Sequence, residues 1–406
     1  MRKPLRLLSS LLGCAAGVLL AGNAGAAECT SLGFQHIVYV TGSTAAKPLL
    51  AIVGRALAEG TPPVSLVYVG AGSCTGVSAV LGAQTPVSAL ATASNPPTYW
   101  DSGGNEKYCD ITTPVQAHVG ISDVFADTCL SLPNGLGNVV DNLGPVQAMT
   151  FVVPNASQEK SISAEAAYMI FGFGSASGVA PWTDPTQFHI RGSTSGTLQM
   201  IAAAINVPAN QWKGVAEANS GAVVNAITMA NSMSLKNAIG IVSTTEADDN
   251  RLYMHELAYK HIEQNCGYLP DSSPMKLDKR NVRDGHYAIW GPIHLLQRTD
   301  LDTAEQPNIK RAVDYVTGAQ QPAGLNLIQV EATKHVIPQC AMRVKRTSEL
   351  GNMTPFTPTK PCGCYYESLT ASGTTCKSCS SQADCDSGTQ CVKYDKADTM
   401  GYCEPN

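Results

Sequence analysis

The chain has 406 residues, 44% of them hydrophobic, and its formal net charge at pH 7 is −5. This length is enough for two globular lobes and a smaller unit, and the hydrophobic content excludes a largely disordered chain. The acidic balance and the lack of any basic run argue against a nucleic-acid partner. An anionic ligand would have to be held by local dipoles and hydrogen bonds against the overall charge.

The N-terminus has the pattern of an export signal. Basic residues precede a mainly apolar run over residues 7–20, and small residues at 24–26 provide a cleavage site. We therefore expect a signal peptide over residues 1–26 and a mature chain that is periplasmic or secreted. The sequence Leu-Leu-Gly-Cys at residues 11–14 leaves lipoprotein anchoring as an alternative.

Strand-like segments alternate with helical ones from residue 34 to about residue 345, which predicts α/β lobes. A β-rich run at residues 36–40 ends in Thr-Gly-Ser-Thr at 41–44, before an amphipathic helical pattern. A second run at residues 65–69 ends in Gly-Ala-Gly-Ser at 70–73, again before a helical pattern.

A third junction of this kind follows the run Phe-His-Ile-Arg at residues 188–191, where Gly-Ser-Thr-Ser-Gly-Thr occupies 192–197. A helix N-terminus offers unpaired N–H groups and partial positive charge, and Ser and Thr add hydroxyl donors. One such junction is usually only a helix cap, whereas three that meet at one cleft would form an anion site. Arg191 would add a charged donor beside the third junction.

Two apolar, strand-like stretches lie far apart in the sequence, at residues 146–153 and 286–296. We interpret them as the two crossings of a hinge, one leaving the first lobe and one returning to it. This interpretation predicts that lobe 1 comprises residues 27–146 and 292–346, and that lobe 2 comprises residues 150–287.

The sequence changes character after about residue 346. Residues 347–361 are rich in Thr and Pro and predict an extended linker, and residues 362–406 are polar and dense in cysteine. Because this C-terminal module has few aliphatic residues to form a core, we expect disulfides to hold it together. Its Cys-x-Cys and Cys-x-x-Cys motifs would suggest zinc or redox chemistry in the cytosol, but structural disulfides are expected after export.

The 14 cysteines fall into two groups once Cys14 of the signal segment is set aside. Six are scattered through the lobes, and seven crowd between Cys362 and Cys403. An odd total leaves one cysteine free or paired with another chain, and the sequence does not fix the connectivity. A disulfide from Cys74, directly after Ser73, would hold the second junction in place.

Beside the three junctions, the chain carries Gly-Ile-Ser-Asp at residues 120–123. Together with Arg-x-x-x-Ser-Gly-Thr at 191–197, these motifs resemble those of the periplasmic phosphate-binding proteins of bacterial ABC transporters. The resemblance covers roughly residues 34–345 and implies a two-lobed type II periplasmic binding-protein fold over residues 27–346. It also implies a non-enzymatic protein that binds phosphate or a similar small oxyanion and delivers it to an ABC transporter or sensor.

The resemblance also implies roles for particular residues. Asp123 would accept the proton of phosphate, and Ser73 would contact the ligand from the second junction. The implied oxyanion-binding residues are Ser43, Thr44, Ser73, Asp123, Arg191, Ser195, Gly196 and Thr197. The family usually has an acidic residue two positions after the arginine, where this chain has Ser193, and this departure leaves another small oxyanion open as the ligand.

The sequence predicts no catalytic residue, no bound metal and no cofactor. Thr194 stands where a nucleophile elbow needs serine, no phosphate-binding P-loop is present, and the histidines lack metal-ligand spacing. We interpret the acidic residues around Asp248 and Asp300 as solvated turns. An alternative function is an extracellular adhesion or matrix protein that reuses the scaffold and has a cell-surface partner for its C-terminal module.

Overall fold

The structure is a computed structural model that describes residues 26–93, 95–371, 373–394 and 398–405. The predicted signal peptide, apart from Ala26, and the lipoprotein-like sequence lie outside the described residues. Within the described ranges, none of the helices combines the length and the apolar character needed to cross a membrane.

The secondary structure begins with alternating strands and helices and ends with short elements. Up to residue 154 the elements are β1 (Ile37–Gly42), α1 (Lys47–Glu59), β2 (Ser65–Gly70), α2 (Ser73–Leu81), α3 (Val87–Leu90), β3 (Thr98–Trp100), β4 (Glu106–Tyr108), β5 (Val119–Ser122), α4 (Ala126–Cys129) and β6 (Val139–Pro154). The next elements are β7 (Ser161–Ser163), α5 (Ala164–Phe173), β8 (Phe188–Arg191), α6 (Gly196–Ile205), β9 (Val215–Glu217), α7 (Ser220–Ser232), β10 (Ile239–Ser243), α8 (Thr244–Asp249), β11 (Met254–Glu256) and β12 (Ala258–Lys260). The last are α9 (Arg280–Arg283), β13 (Trp290–Arg298), α10 (Gln306–Thr317), α11 (Leu327–Thr333), β14 (Val344–Lys345), β15 (Thr354–Pro355), α12 (Gly363–Leu369), β16 (Ser378–Cys379), β17 (Thr389–Val392) and β18 (Gly401–Pro405).

The three strand–loop–helix junctions predicted from the sequence are confirmed as local structure. Each predicted run is a strand (β1, β2 and β8), and each is followed by a helix (α1, α2 and α6) within a few residues. The strand β2 is buried along its whole length, as expected for a parallel strand that is covered on both faces. The helix α1 has Pro48 in its first turn, where proline costs no hydrogen bond.

One sheet joins the two halves of the chain, with the strand order β4-β3-β2-β1-β5-β13-β6-β10-β8-β9 and β11 also paired to β6. We call the β1–β5 side lobe 1 and the β8–β11 side lobe 2. The strands β6 and β13 lie between them and run antiparallel to each other. The stretch 146–153 lies within β6, whereas the stretch 286–296 becomes a strand only from Trp290.

Apolar side chains fill both faces of this sheet. In lobe 1, α1 and α10 pack one face through residues such as Leu50 and Val313. Residues of α2, including Val77 and Val80, pack the opposite face. In lobe 2, α5 and α6 form the largest core cluster, and α7 covers the sheet elsewhere. These layers fix the ends of β1, β5 and β8, which carry the polar residues described below.

Six disulfides connect the described cysteines. They are Cys29–Cys109, Cys74–Cys129, Cys340–Cys362, Cys364–Cys376, Cys379–Cys391 and Cys385–Cys403. The expected disulfide of the second junction is therefore confirmed, with Cys129 as its partner. Cys266 is exposed and is the free cysteine of the described ranges. The C-terminal module is disulfide-rich, as predicted.

The C-terminal module also packs against lobe 2. Tyr366 of α12 is fully buried in the main lobe 2 core, and the Arg283 guanidinium lies over its ring at 5.5 Å from the ring centre. Arg283 Nη1 donates to Glu367 Oε1 at 2.8 Å. The module is thus held by a buried aromatic side chain and an ion pair as well as by disulfides, which its low aliphatic content did not suggest.

The segment between β14 and α12 lies against the body. Arg346 covers the Trp290 ring at 4.0 Å, and Glu349 Oε2 accepts a hydrogen bond from the backbone N–H of Phe125 at 3.3 Å. The backbone N–H of Phe356 donates to the carbonyl oxygen of Arg343 at 2.8 Å. These contacts join this segment to both lobes.

The interpretation of Asp248 as part of a solvated turn is wrong. Asp248 is buried and accepts a hydrogen bond from the ammonium group of Lys279 at 2.5 Å. Lys279 is itself fully buried and also donates to Asp271 at 2.8 Å. Because the partners are distant in the sequence, the local acidic pattern could not reveal this buried ion cluster.

Candidate functional site

The carboxylate of Asp123 gathers hydroxyl groups from two junctions. The strands β1, β2 and β5 are parallel neighbours, so their carboxyl ends meet at one edge of the sheet. There Asp123 Oδ2 accepts from the hydroxyl of Ser43 at 2.6 Å and from that of Ser73 at 3.1 Å. The Ser73 oxygen in turn accepts from the backbone N–H of Asp123 at 3.2 Å.

Asp123 is 2% exposed, and its second carboxylate oxygen, Oδ1, is buried without a hydrogen-bond partner. Burial raises the pKa of Asp123, and the two serine hydroxyls and the Arg191 charge oppose this rise only in part. A buried acceptor with no donor is costly, because it has lost its water without a replacement. Oδ1 is therefore suited to a ligand that brings a proton.

Arg191 provides the positive charge of the site. It ends β8 and is 5% exposed, and its Nη1 donates to Ser220 Oγ at 2.8 Å and to Thr44 Oγ1 at 3.3 Å. Burial lowers the pKa of Arg191, and the charges of Glu246 and Asp123 oppose this change. Arginine nevertheless stays protonated at neutral pH. The Nε–H of Arg191 is buried and has no acceptor.

The third junction packs closely against the second. The backbone N–H of Cys74 donates to the carbonyl oxygen of Thr194 at 2.9 Å. An added Cβ on Gly196, the first residue of α6, would lie 2.3 Å from Ser73 Oγ and 2.8 Å from Asp123 Oδ2. The start of α6, with its partial positive charge, therefore lies directly against the Asp123 cluster.

The predicted site residues fall into two adjoining groups. One contains Ser43, Ser73, Asp123 and Gly196, and the other contains Thr44 and Arg191. Ser195 and Thr197 are buried at the start of α6, beside Gly196. The structure thus brings the three junctions and the Gly-Ile-Ser-Asp motif to one place, while their role in ligand binding stays a prediction.

Sequence reasoning missed Ser220, the first residue of α7. It follows β9 and is preceded by Asn219, whose side chain accepts from the backbone N–H of Ala222 and caps the helix. The sequence Asn-Ser-Gly between a strand and a helix is a fourth junction of the kind already noted. Its strand is only three residues long, which explains why the pattern was not recognised.

Glu246 is a second residue that the sequence did not indicate. It lies in the first turn of α8, where its backbone N–H donates to the hydroxyl of Ser243, the N-cap residue, and its carboxylate contacts the same hydroxyl. Burial raises the pKa of Glu246 to about 8, although the Arg191 charge lowers it. The sequence Ser-Thr-Thr-Glu at residues 243–246 is typical of a helix start, but the proximity of Glu246 to Arg191 depends on the tertiary fold.

Comparisons with known proteins bear on the fold. No protein-family model matches this chain, and no curated protein matches its sequence. Among solved structures, the chain is similar to one described as a phosphate ABC transporter substrate-binding protein from Clostridium perfringens, with bound phosphate. The TM-score is 0.51 at 14% identity, and the match covers 75% of this chain and 99% of that one. An ABC-type phosphate transport receptor from Vibrio cholerae gives a TM-score of 0.45 at 11% identity, with 74% and 99% covered.

The likeness at a TM-score of 0.51 confirms the predicted fold class. The chain has the type II binding-protein fold, with a mixed sheet shared by two α/β lobes and a disulfide cluster at the C-terminus. The disulfides fit a protein outside the cytoplasm, where oxidising conditions preserve them. At such low identity the likeness describes the fold, so the function has to be argued from the site.

Proposed function

We propose that this protein binds phosphate, or another small oxyanion, between its two lobes outside the cytoplasm. The observation that carries the proposal is a pair of buried, unpartnered groups of opposite kind. Arg191 Nε–H needs an acceptor, and Asp123 Oδ1 needs a donor. A protonated oxyanion such as hydrogen phosphate offers both, because its charged oxygens accept hydrogen bonds while its hydroxyl group donates one.

The remaining contacts support an anion more than a cation. The hydroxyl of Ser220 accepts from Arg191 Nη1 and keeps its own proton for a ligand, and the first residues of α2 and α6, Ser73 and Gly196, lie against each other beside it. These donors and helix dipoles can hold an anion although the chain is acidic overall. The structure of the substrate-binding protein from Clostridium perfringens mentioned above contains bound phosphate, which agrees with this proposal.

Asp123 would also provide discrimination. A fully ionised oxyanion such as sulfate brings no proton to Asp123 Oδ1, so two groups with negative charge would face each other in a buried site. Hydrogen phosphate avoids this repulsion by donating its proton. The serine at position 193 removes the acid that the related motif usually has, and it leaves Asp123 as the main discriminating carboxylate.

Delivery of the anion to an ABC transporter or sensor is the biological role we propose for this binding. Lobes joined by two crossing strands can open and close around a ligand, and the closed form can be recognised by a membrane partner. In this proposal residues 27–346 form the binding domain and residues 362–406 form an accessory module. The protein would act by binding, without a catalytic step.

The test is calorimetry with the oxidised protein after removal of bound ligand by partial denaturation and dialysis. We expect phosphate to bind with 1:1 stoichiometry and sulfate to bind at least a hundredfold more weakly. Small-angle scattering should show a decrease in the radius of gyration on phosphate addition. No binding of phosphate, with the fold intact by circular dichroism, would rule out phosphate as the ligand, and no binding of sulfate either would rule out the proposal.

A further inference from the structure

A cavity of about 420 Å³ adjoins the anion site and is lined by residues of both lobes. Its walls include Thr44 and Ser220, the two hydroxyl residues that accept from Arg191 Nη1, together with Tyr68 and Glu246. A volume of this size lies in the range of pockets that hold organic ligands. A free phosphate ion held by Arg191 and Asp123 would leave this cavity unfilled.

The cavity walls are mixed in chemistry. Polar groups come from side chains that offer both donors and acceptors, namely Asn95, Asn219, Glu246 and the ion pair of Lys47 with Glu106, whose charged atoms are 2.8 Å apart. Apolar surface comes from Pro48, Ala51 and Pro96. Amide and carboxyl groups placed around a small apolar surface suit a compact molecule with several hydroxyl groups, because each hydroxyl both donates and accepts.

We infer that the cavity accepts the organic part of a phosphomonoester of a small polyol or sugar, whose phosphoryl group occupies the anion site beside Arg191. The inference rests on the proposed function, because it uses the same anion site. It extends the ligand class from the free ion to its hydroxylated esters. Thr44 and Ser220 lie at the boundary and can contact the phosphoryl group and the first carbon of the ester.

Inorganic phosphate and a phosphomonoester differ in whether they carry a proton that can bind to Asp123. A phosphomonoester loses its last proton with a pKa of roughly 6, whereas inorganic hydrogen phosphate keeps one proton throughout the neutral range. The ester complex therefore has to take up a proton, on the phosphoryl group or on Asp123, when it forms above that pH. The other titratable groups that face the cavity or act on Asp123 are Glu246, Arg191, Lys47, Glu106, Tyr68 and His294, and they act on both ligands.

The experiment compares inorganic phosphate, glycerol 3-phosphate and glucose 6-phosphate by calorimetry, with glycerol as the control lacking a phosphoryl group. We expect at least one ester to bind within tenfold of phosphate at pH 6. The ratio of ester to phosphate dissociation constants should rise about tenfold per pH unit between pH 6.5 and 8. An ester affinity more than a hundredfold below that of phosphate at pH 6 would overturn the inference and leave phosphate binding intact. A pH-independent ratio would also overturn it.

A variant separates the cavity from the anion site. Ala51 is half-buried on α1 and lines the cavity, so Ala51→Trp should fill it. We expect ester affinity to fall at least tenfold and phosphate affinity to change less than twofold. Ala58→Trp, at a half-buried position two turns further along the same helix, is the matched control, and Ala51→Leu replaces the Trp variant if that protein fails to fold. Unchanged ester affinity in the cavity variant contradicts the inference, and binding of neither ligand by the wild-type protein would refute the proposed function itself.

Discussion

Gly196 meets Ser73 across the cleft so closely that a Cβ on Gly196 would lie 2.3 Å from the Ser73 hydroxyl oxygen. Real carbon and oxygen atoms do not approach to this distance without a covalent bond. Gly196 opens α6 of lobe 2, and Ser73 opens α2 of lobe 1. The contact therefore joins the two lobes at the anion site and depends on the absence of a side chain at position 196.

Replacing Gly196 by alanine should weaken binding without unfolding the protein. Alanine is favourable at a helix start, so the expected cost arises only when the lobes close against Ser73. We expect the phosphate dissociation constant to rise at least tenfold, measured by calorimetry. Gly192→Ala is the matched control, because a Cβ at position 192 in the same loop meets nothing within 4 Å. Equal affinity in the two variants would contradict this closed arrangement as the binding form.

Truncation of Arg191 should abolish most of the affinity. Arg191→Ala removes the charge and the donors that contact Ser220 and Thr44, and losing a buried charged partner costs about 2–5 kcal/mol. We therefore expect at least a thirtyfold loss in phosphate affinity. Thr197→Ala should lose about tenfold, since it removes a buried hydroxyl at the same loop.

The control for these variants is Arg55→Ala, which removes an exposed guanidinium that pairs with Glu59 on the surface of α1. Its phosphate affinity should match that of the wild-type protein. The thermal midpoint of each variant shows whether a loss of binding reflects unfolding. Unchanged affinity in Arg191→Ala would remove the third junction from the site.

Asp123→Asn should relax the choice between phosphate and sulfate. An asparagine amide can donate a hydrogen bond where the carboxylate oxygen can only accept one, so a fully ionised anion no longer meets repulsion. We expect the ratio of sulfate to phosphate dissociation constants to fall at least tenfold, as measured by competition calorimetry. Asp127→Asn, four residues further along the chain at the start of α4, is the control. An unchanged ratio would show that Asp123 does not discriminate.

The sequence was sufficient to locate the three junctions because each is a local pattern of a β-rich run, small polar residues and an amphipathic helix. It also indicated Asp123, which directly follows β5, and Arg191, which ends β8. It could not indicate Glu246 of α8, because the tertiary fold brings this residue close to the charge of Arg191 in β8. The buried pair of Asp248 with Lys279 was likewise hidden, since their contact spans residues far apart in the chain.

The cysteines allow a direct chemical test. Among the described cysteines, only Cys266 should react with an alkylating reagent under native, non-reducing conditions, because the others are paired. Peptide mapping by mass spectrometry should find one labelled site in the mature protein, and full labelling after reduction is the control. Several labelled sites in the C-terminal module would contradict its disulfide arrangement.

Glu331 offers a test of stability against pH. This residue of α11 is 5% exposed, and burial alone raises its pKa from 4.5 to about 8. Between these two values the unfolded chain releases the proton of Glu331 while the folded protein keeps it. The wild-type protein therefore loses stability as the pH rises through this range, by about 1.4 kcal/mol per pH unit for this single group.

Glu331→Gln keeps the shape of a neutral carboxyl group and removes its titration. We expect the free energy of unfolding of the variant, relative to wild type, to increase steadily from pH 5 to pH 8 and to level off above that. Chemical denaturation of the oxidised protein at several pH values measures this difference. Glu59→Gln, at an exposed position of α1, should show little change over the same range. A constant difference for Glu331→Gln would mean that this carboxyl group is solvated in the folded protein, contrary to its burial on the inner side of α11.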